Sequence, residues 1–114
     1  MTFQPGSSID QEEVQDRVDG AIEQNAVVLF MKGTPLMPQC GYSKRALGLI
    51  GQYVDDFETV DALESLPEYR AALEAHSGWE TIPQAFVEGE FVGGSDVLAE
   101  LDERGELEAT LNGE

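Results

Sequence analysis

Basic residues are scarce in this chain of 114: six Lys and Arg stand against 23 Asp and Glu, a formal net charge of −17. Such a field repels phosphate backbones and anionic lipid, so nucleic-acid binding and membrane-surface binding are excluded as general functions. Cysteine is scarcer still. The single thiol, Cys40, cannot close an internal disulfide, which excludes a stapled secreted scaffold. Long apolar runs are missing as well: the longest, Ala26–Met31, has six residues, where about 20 are needed to span a bilayer. The opening MTFQPGSS has neither a basic stretch nor an apolar one, so no secretory leader is expected, and the cytoplasm is the expected compartment.

What is present suffices for one hydrophobic core, since the length is that of a single domain and 41% of residues are hydrophobic. The acids are scattered through helical stretches rather than gathered in a tail. A basic partner would explain acidity, but the scatter favours adaptation to high salt, where ions screen self-repulsion. The acidity also has a gap. Ala26–Val54 holds no Asp or Glu but contains Lys32, Lys44 and Arg45, so it carries +3 and leaves −20 to the other 85 residues. A buried strand and helix would exclude acids there. They would not gather half of the cations beside the only cysteine.

Ser8 opens a helix-start pattern, with Asp10, Glu12 and Glu13 near the positive dipole end, and Val14, Val18 and Ile22 continue one apolar stripe to about Gln24. Ala26–Met31 is expected to be a buried strand, and Lys32–Gln39, with Gly33, Pro35 and Pro38, a loop. A second helix is expected from Gly41 to Val54, with Ala46, Leu47, Ile50 and Val54 inward, then a strand over Phe57–Val60. Pro67 suits the first turn of a third helix running to His76–Gly78. Ile82–Val87 and Glu90–Val92 read as a hairpin turning near Glu88–Glu90. Ser95 or Asp96 is expected to cap a helix lined by Val97, Leu98 and Leu101, and Leu107 and Leu111 suggest a short closing helix. A β-α-β unit followed by a hairpin gives an α/β fold, a four-stranded mixed sheet flanked by helices in the thioredoxin-like arrangement. The domain is expected over residues 8–112, with 1–7 a short flexible N-terminal segment.

Cys40 follows the Gly/Pro loop and stands at a helix start. Free N–H groups, the helix dipole and nearby cations lower a thiol pKa from ~8.5 towards roughly 3.5–7.5, making a nucleophile or metal ligand. The plainer alternative is a buried, inert cysteine. In Cys40-Gly41-Tyr42-Ser43, serine stands where a dithiol oxidoreductase has its second cysteine. Any disulfide chemistry must therefore use an external thiol, and any metal site must borrow ligands.

Four blocks in order, Val28–Pro35 (VLFMKGTP), Pro38–Ser43 (PQCGYS), Trp79–Gln84 (WETIPQ) and Gly89–Leu98 (GEFVGGSDVL), make the chain similar to monothiol glutaredoxins over nearly its whole length. That family usually carries C-G-F-S, and here Tyr42 replaces Phe. The resemblance implies that Cys40 binds one iron of a [2Fe–2S] cluster at the interface of a homodimer. Two chains then supply two thiolates, and two molecules of glutathione or a related small thiol supply the rest of the four that such a cluster needs. It further implies that Lys32 and Arg70 hold carboxylates of the thiol and that the main chain of Ile82, before a cis Pro83, pairs with it like an added strand. Gly94 allows close approach, the Ser95 N–H donates to the γ-glutamyl α-carboxylate, and Asp96 accepts from the ammonium. Thr34, Trp79 and Thr81 would shape the groove. Glu74 departs from the pattern, standing where some members have a lysine. His76, the lone histidine, is expected to be a polar surface residue, and Met31, Met37 and Tyr53 to be core or groove lining. The implied function is a carrier that passes a labile cluster to apo iron–sulfur acceptor proteins. The alternative is a glutathione-dependent thiol-disulfide oxidoreductase working through Cys40 alone, and a regulatory module without a cluster is a third possibility. The family's extended loop, Lys32–Pro38, is associated with cluster binding and poor thioltransferase activity.

Overall fold

Asp10 starts the first helix, its carboxylate accepting from the Glu13 N–H at 2.8 Å. The computed structural model describes residues 10–114; the helix start expected at Ser8 and the segment 1–7 lie outside them. α1 (Gln11–Gln24) buries Val14, Val18 and Ile22, the expected stripe. β1 (Val27–Met31) is buried along its length. α2 (Gly41–Gly51) ends three residues short of the expected Val54. β2 (Glu58–Asp61) follows, then a 3-10 turn over Leu63–Ser65 that the periodicity did not signal, and α3 (Leu66–Ser77). β3 (Gln84–Val87) and β4 (Glu90–Gly93) form the hairpin, and α4 (Ser95–Glu103) and α5 (Leu107–Leu111) close the chain.

The four strands lie in the order β2-β1-β3-β4, with β1 and β2 parallel and the other two pairings antiparallel. Alternation along β1 divides the core. Val28 and Phe30 face α1 and α3, where Val14, Val18, Ile22, Tyr69, Leu73 and Phe86 complete one cluster. Val27, Leu29 and Met31 face the other side, packing with Ala46, Ile50, Leu98, Leu107 and Leu111. Helices therefore cover both faces of a four-stranded mixed sheet, the expected α/β arrangement.

Two details position the site. The loop after β1 is pinned at its neck: the Gln39 N–H donates to the Lys32 carbonyl at 2.9 Å, and Gly33 bridges to Pro38. Gly33 sits at φ +94°, and a Cβ there would lie 2.5 Å from the Met37 carbonyl oxygen, so no other residue fits without rearrangement. At the start of α4 the N-cap is Gly94, with no side chain capping the helix, whereas Ser95 and Asp96 are already helical. The expected cap at Ser95 or Asp96 is therefore corrected: the chain enters the helix one residue earlier, and neither side chain makes a capping hydrogen bond.

Candidate functional site

Cys40 occupies the N-cap of α2 in an extended conformation, half-buried, with no acid in the first helical turn. Partial burial pushes its thiol pKa up. The N–H groups of Ser43 and Tyr42, the Ser43 hydroxyl and the Lys32 charge act the other way, and the balance lies below the ordinary thiol value. Ser43 itself is buried, and its Oγ accepts from the Lys32 N–H at 3.0 Å. The residue three after the thiol thus ties the end of β1 to the first turn of α2.

Of the three cations gathered in sequence, Lys32 alone acts on the thiol. Lys44 is exposed, and Arg45 is held by Asp96 at 3.2 Å. The expectation that all three stabilise the thiolate is corrected on that ground: Lys44 is exposed to solvent and Arg45 is paired with Asp96 of α4.

The expected ligand residues fall into two depressions that share Thr81 and Ile82. One, about 330 Å³, is lined by Lys32, Arg70, Glu80, Thr81 and Ile82. The other, about 350 Å³, is lined by Tyr42, Trp79, Ile82, Gly94, Ser95 and Asp96 among others. Cys40 is flanked by both, through the Lys32 charge and the Tyr42 N–H. The Ile82–Pro83 peptide is cis. At Gly94 the close approach that a side chain would block is to the chain's own Pro83 carbonyl, 3.0 Å from where a Cβ would stand.

Several residues were not legible in the sequence. Glu80, not Glu74, is the acid facing Lys32 and Arg70; Glu74 is exposed on α3. Asp61, at the end of β2, accepts from the Gly33 N–H at 2.9 Å and so anchors the loop that leads to Cys40. Gln84, wholly buried, donates to the carbonyls of Trp79 (2.8 Å) and Thr81 (2.9 Å) and accepts from the Ser77 hydroxyl (2.9 Å). It thereby shapes the Trp79–Thr81 segment that walls both depressions. Its only sequence signal is a polar side chain in an apolar strand. Met31 is core, but Met37 is exposed on the loop beside Leu36, which is 95% exposed. Tyr53 is neither core nor groove: its hydroxyl donates to Asp102 at 2.6 Å. His76 is exposed on α3, bonded to Asp19 of α1 at 2.6 Å with its ring edge-on to Phe86, in agreement with a surface role. Thr34 is exposed on the loop and lines neither depression.

Among the described residues, no group of three or more His, Cys, Asp or Glu side chains converges as a metal site. The chain by itself offers an iron–sulfur cluster one sulfur ligand of the four it needs. What it offers well is a partly accessible thiol, its pKa held below the ordinary value, beside two depressions sized for a small molecule.

Comparison with known proteins agrees with this geometry. The glutaredoxin family model matches residues 27–92. A ycf64-like monothiol glutaredoxin from Synechocystis sp. is 46% identical over 99 residues, covering 87% of this chain and 92% of that protein. Mitochondrial monothiol glutaredoxin-5 of Saccharomyces cerevisiae is 46% identical over 98 residues, covering 83% of this chain and 65% of that protein. Among solved structures, reduced apo GrxS14 of poplar superposes with a TM-score of 0.74 at 36% identity, over 87% of this chain and 90% of that one.

Proposed function

The chain belongs to the glutaredoxin family as a monothiol member, and we propose that it carries a [2Fe–2S] cluster as cargo between two copies of itself. The observation that carries this reading is the state of Cys40. It is a partly accessible thiol held towards its thiolate, and the position that would supply a resolving sulfur is a buried Ser43 already engaged with Lys32. A sulfur that can ligate but cannot form an internal disulfide suits a ligand role. The cluster's four thiolates would come from two Cys40 side chains and two molecules of a small thiol; the glutaredoxin family uses glutathione. Lys32, Arg70 and the Ile82 main chain would hold one end of that thiol, and Gly94, Ser95 and Asp96 the other. Because two ligands are exchangeable, the cargo can leave to apo iron–sulfur acceptor proteins. The exposed Leu36 and Met37 on the loop that leads to Cys40 favour a protein-facing surface there. Residence in the cytoplasm is part of the same proposal, resting on the single unpaired cysteine.

The lowered thiol pKa favours a second reading, that of an enzyme. The Cys40 thiolate would attack the glutathione sulfur of a protein mixed disulfide, releasing the protein thiolate and leaving glutathione on Cys40. A second glutathione thiolate would then attack that bond, giving glutathione disulfide and free Cys40.

Anaerobic reconstitution with iron, sulfide and glutathione separates the two. The carrier yields a brown dimer with thiolate-to-iron absorption, and Cys40→Ser yields neither colour nor dimer. A colourless wild-type monomer overturns the carrier reading. Rapid turnover of a glutathione mixed disulfide by that monomer establishes the enzyme instead.

A further inference from the structure

We propose that Arg45 is a specificity residue that receives the α-carboxylate of the thiol's amino-acid head, forming with Asp96 a matched pair for a zwitterion. The proposal rests on the reading that the groove beside Cys40 holds a γ-glutamyl thiol. Arg45 on α2 and Asp96 on α4 lie 51 residues apart in sequence, yet they meet at the rim of the groove lined by Tyr42, Ile82, Gly94 and Ser95. Their contact is a single one, Nη1 to Oδ1 at 3.2 Å, with the side chains 51% and 87% exposed. Neither the rest of the guanidinium fork nor the second carboxylate oxygen has another partner among the described residues.

An exposed pair of this kind is weak and opens readily. An α-amino-acid head brings one positive and one negative group on neighbouring bonds. When it enters, the ammonium replaces the guanidinium on Asp96, and the freed fork takes the carboxylate, so one exposed ion pair becomes two. The first turn of α4 adds N–H donors that no capping side chain occupies. The surroundings make a cation necessary at this place. Outside 26–54 the chain carries −20, so an incoming carboxylate is disfavoured wherever no cation stands beside it. Arg45 is the cation of that cluster which the fold joins to Asp96, a residue of the groove lining.

Two probes decide the matter, both as S-methyl thioethers so that no disulfide or cluster forms. One is S-methylglutathione. The other is its analogue with 4-aminobutyrate in place of glutamate, which keeps the ammonium and lacks the α-carboxylate. Dissociation constants come from NMR shift titrations of the full chain. Arg45→Ala is expected to weaken S-methylglutathione roughly 5- to 10-fold, the worth of one charge-assisted contact. The analogue, which gains nothing from the guanidinium, is expected to bind the variant as well as or better than wild type. Lys44→Ala, which removes the same charge one residue away, should change either constant less than about 2-fold. Tighter binding of both probes by Arg45→Ala would mean that the arginine merely competes for Asp96, and it overturns the proposal. So does equal weakening by Lys44→Ala, or no change at all. If wild type binds neither probe, the thiol-binding reading falls and this inference with it; wild-type binding that Arg45→Ala leaves unaltered removes this inference alone.

Discussion

Ser43 does two things with one hydroxyl. It closes the first turn of α2 onto the end of β1 by accepting from the Lys32 N–H, and it helps hold the Cys40 thiol below its ordinary pKa. Ser43→Ala should therefore act on both stability and reactivity. Losing the acceptor leaves the Lys32 N–H without its partner and costs about 1–2 kcal/mol, measurable by chemical denaturation. The pH at which iodoacetamide alkylation of Cys40 reaches half its maximal rate should rise, because one stabiliser of the thiolate is gone. A midpoint that falls or stays put would show that the backbone N–H groups of Tyr42 and Ser43 suffice. At this scale the sequence was informative where chemistry is local: a cysteine after a Gly/Pro loop reads as an N-cap thiol from spacing alone. It was misleading for Lys44 and Arg45, because a charge in solvent is screened and one already paired is engaged elsewhere.

Between elements, a few polar contacts join what hydrophobic packing brings near. His76 on α3 bonds to Asp19 on α1 at 2.6 Å, and with Gln15 it lowers the Asp19 pKa below its usual 3.8. A carboxylate whose folded pKa is depressed contributes stability that is fully present above the unfolded value and is lost as pH falls through the folded one. Asp19→Asn should thus destabilise the chain well above pH 3.8 and match wild type in acid. Both side chains are partly exposed, so the loss should be a few tenths to about 1 kcal/mol. Equilibrium unfolding on either side of that pH checks it; an equal loss in acid would assign the effect to packing. Strand and helix periodicity gave most elements from sequence. Asp61 and Gln84 escaped it, because the groups they hold, Gly33 and the Trp79–Thr81 segment, are fixed by turns that carry no periodic signal.

Over the whole molecule, charge is the dominant unusual term. Of 23 acidic side chains, three pair with an arginine among the described residues (Arg17, Arg45 and Arg104), and Asp19 bonds to His76. The rest have no ion pair among the described residues, and the repulsion within so large an excess of one sign weakens as salt shortens the screening length to roughly 3 Å at 1 M. The thermal midpoint should therefore climb steeply between dilute buffer and molar potassium chloride. A midpoint independent of salt would remove the reading of the acidity as adaptation to a salty environment. The same screening weakens the exposed Arg45–Asp96 pair.

The sequence by itself determined the fold class, the order of strands and helices, and the placing of one thiol at a helix start, because these follow from periodicity, turn residues and short spacings. It also fixed the absence of an internal resolving cysteine. Only the tertiary structure decided which charges act on that thiol and which face the groove. It likewise put Glu80 rather than Glu74 opposite Lys32 and Arg70, and joined Arg45 to Asp96. Such pairings depend on how helices are rotated and packed on the sheet, and that rotation is set by the whole core rather than by any local run of residues.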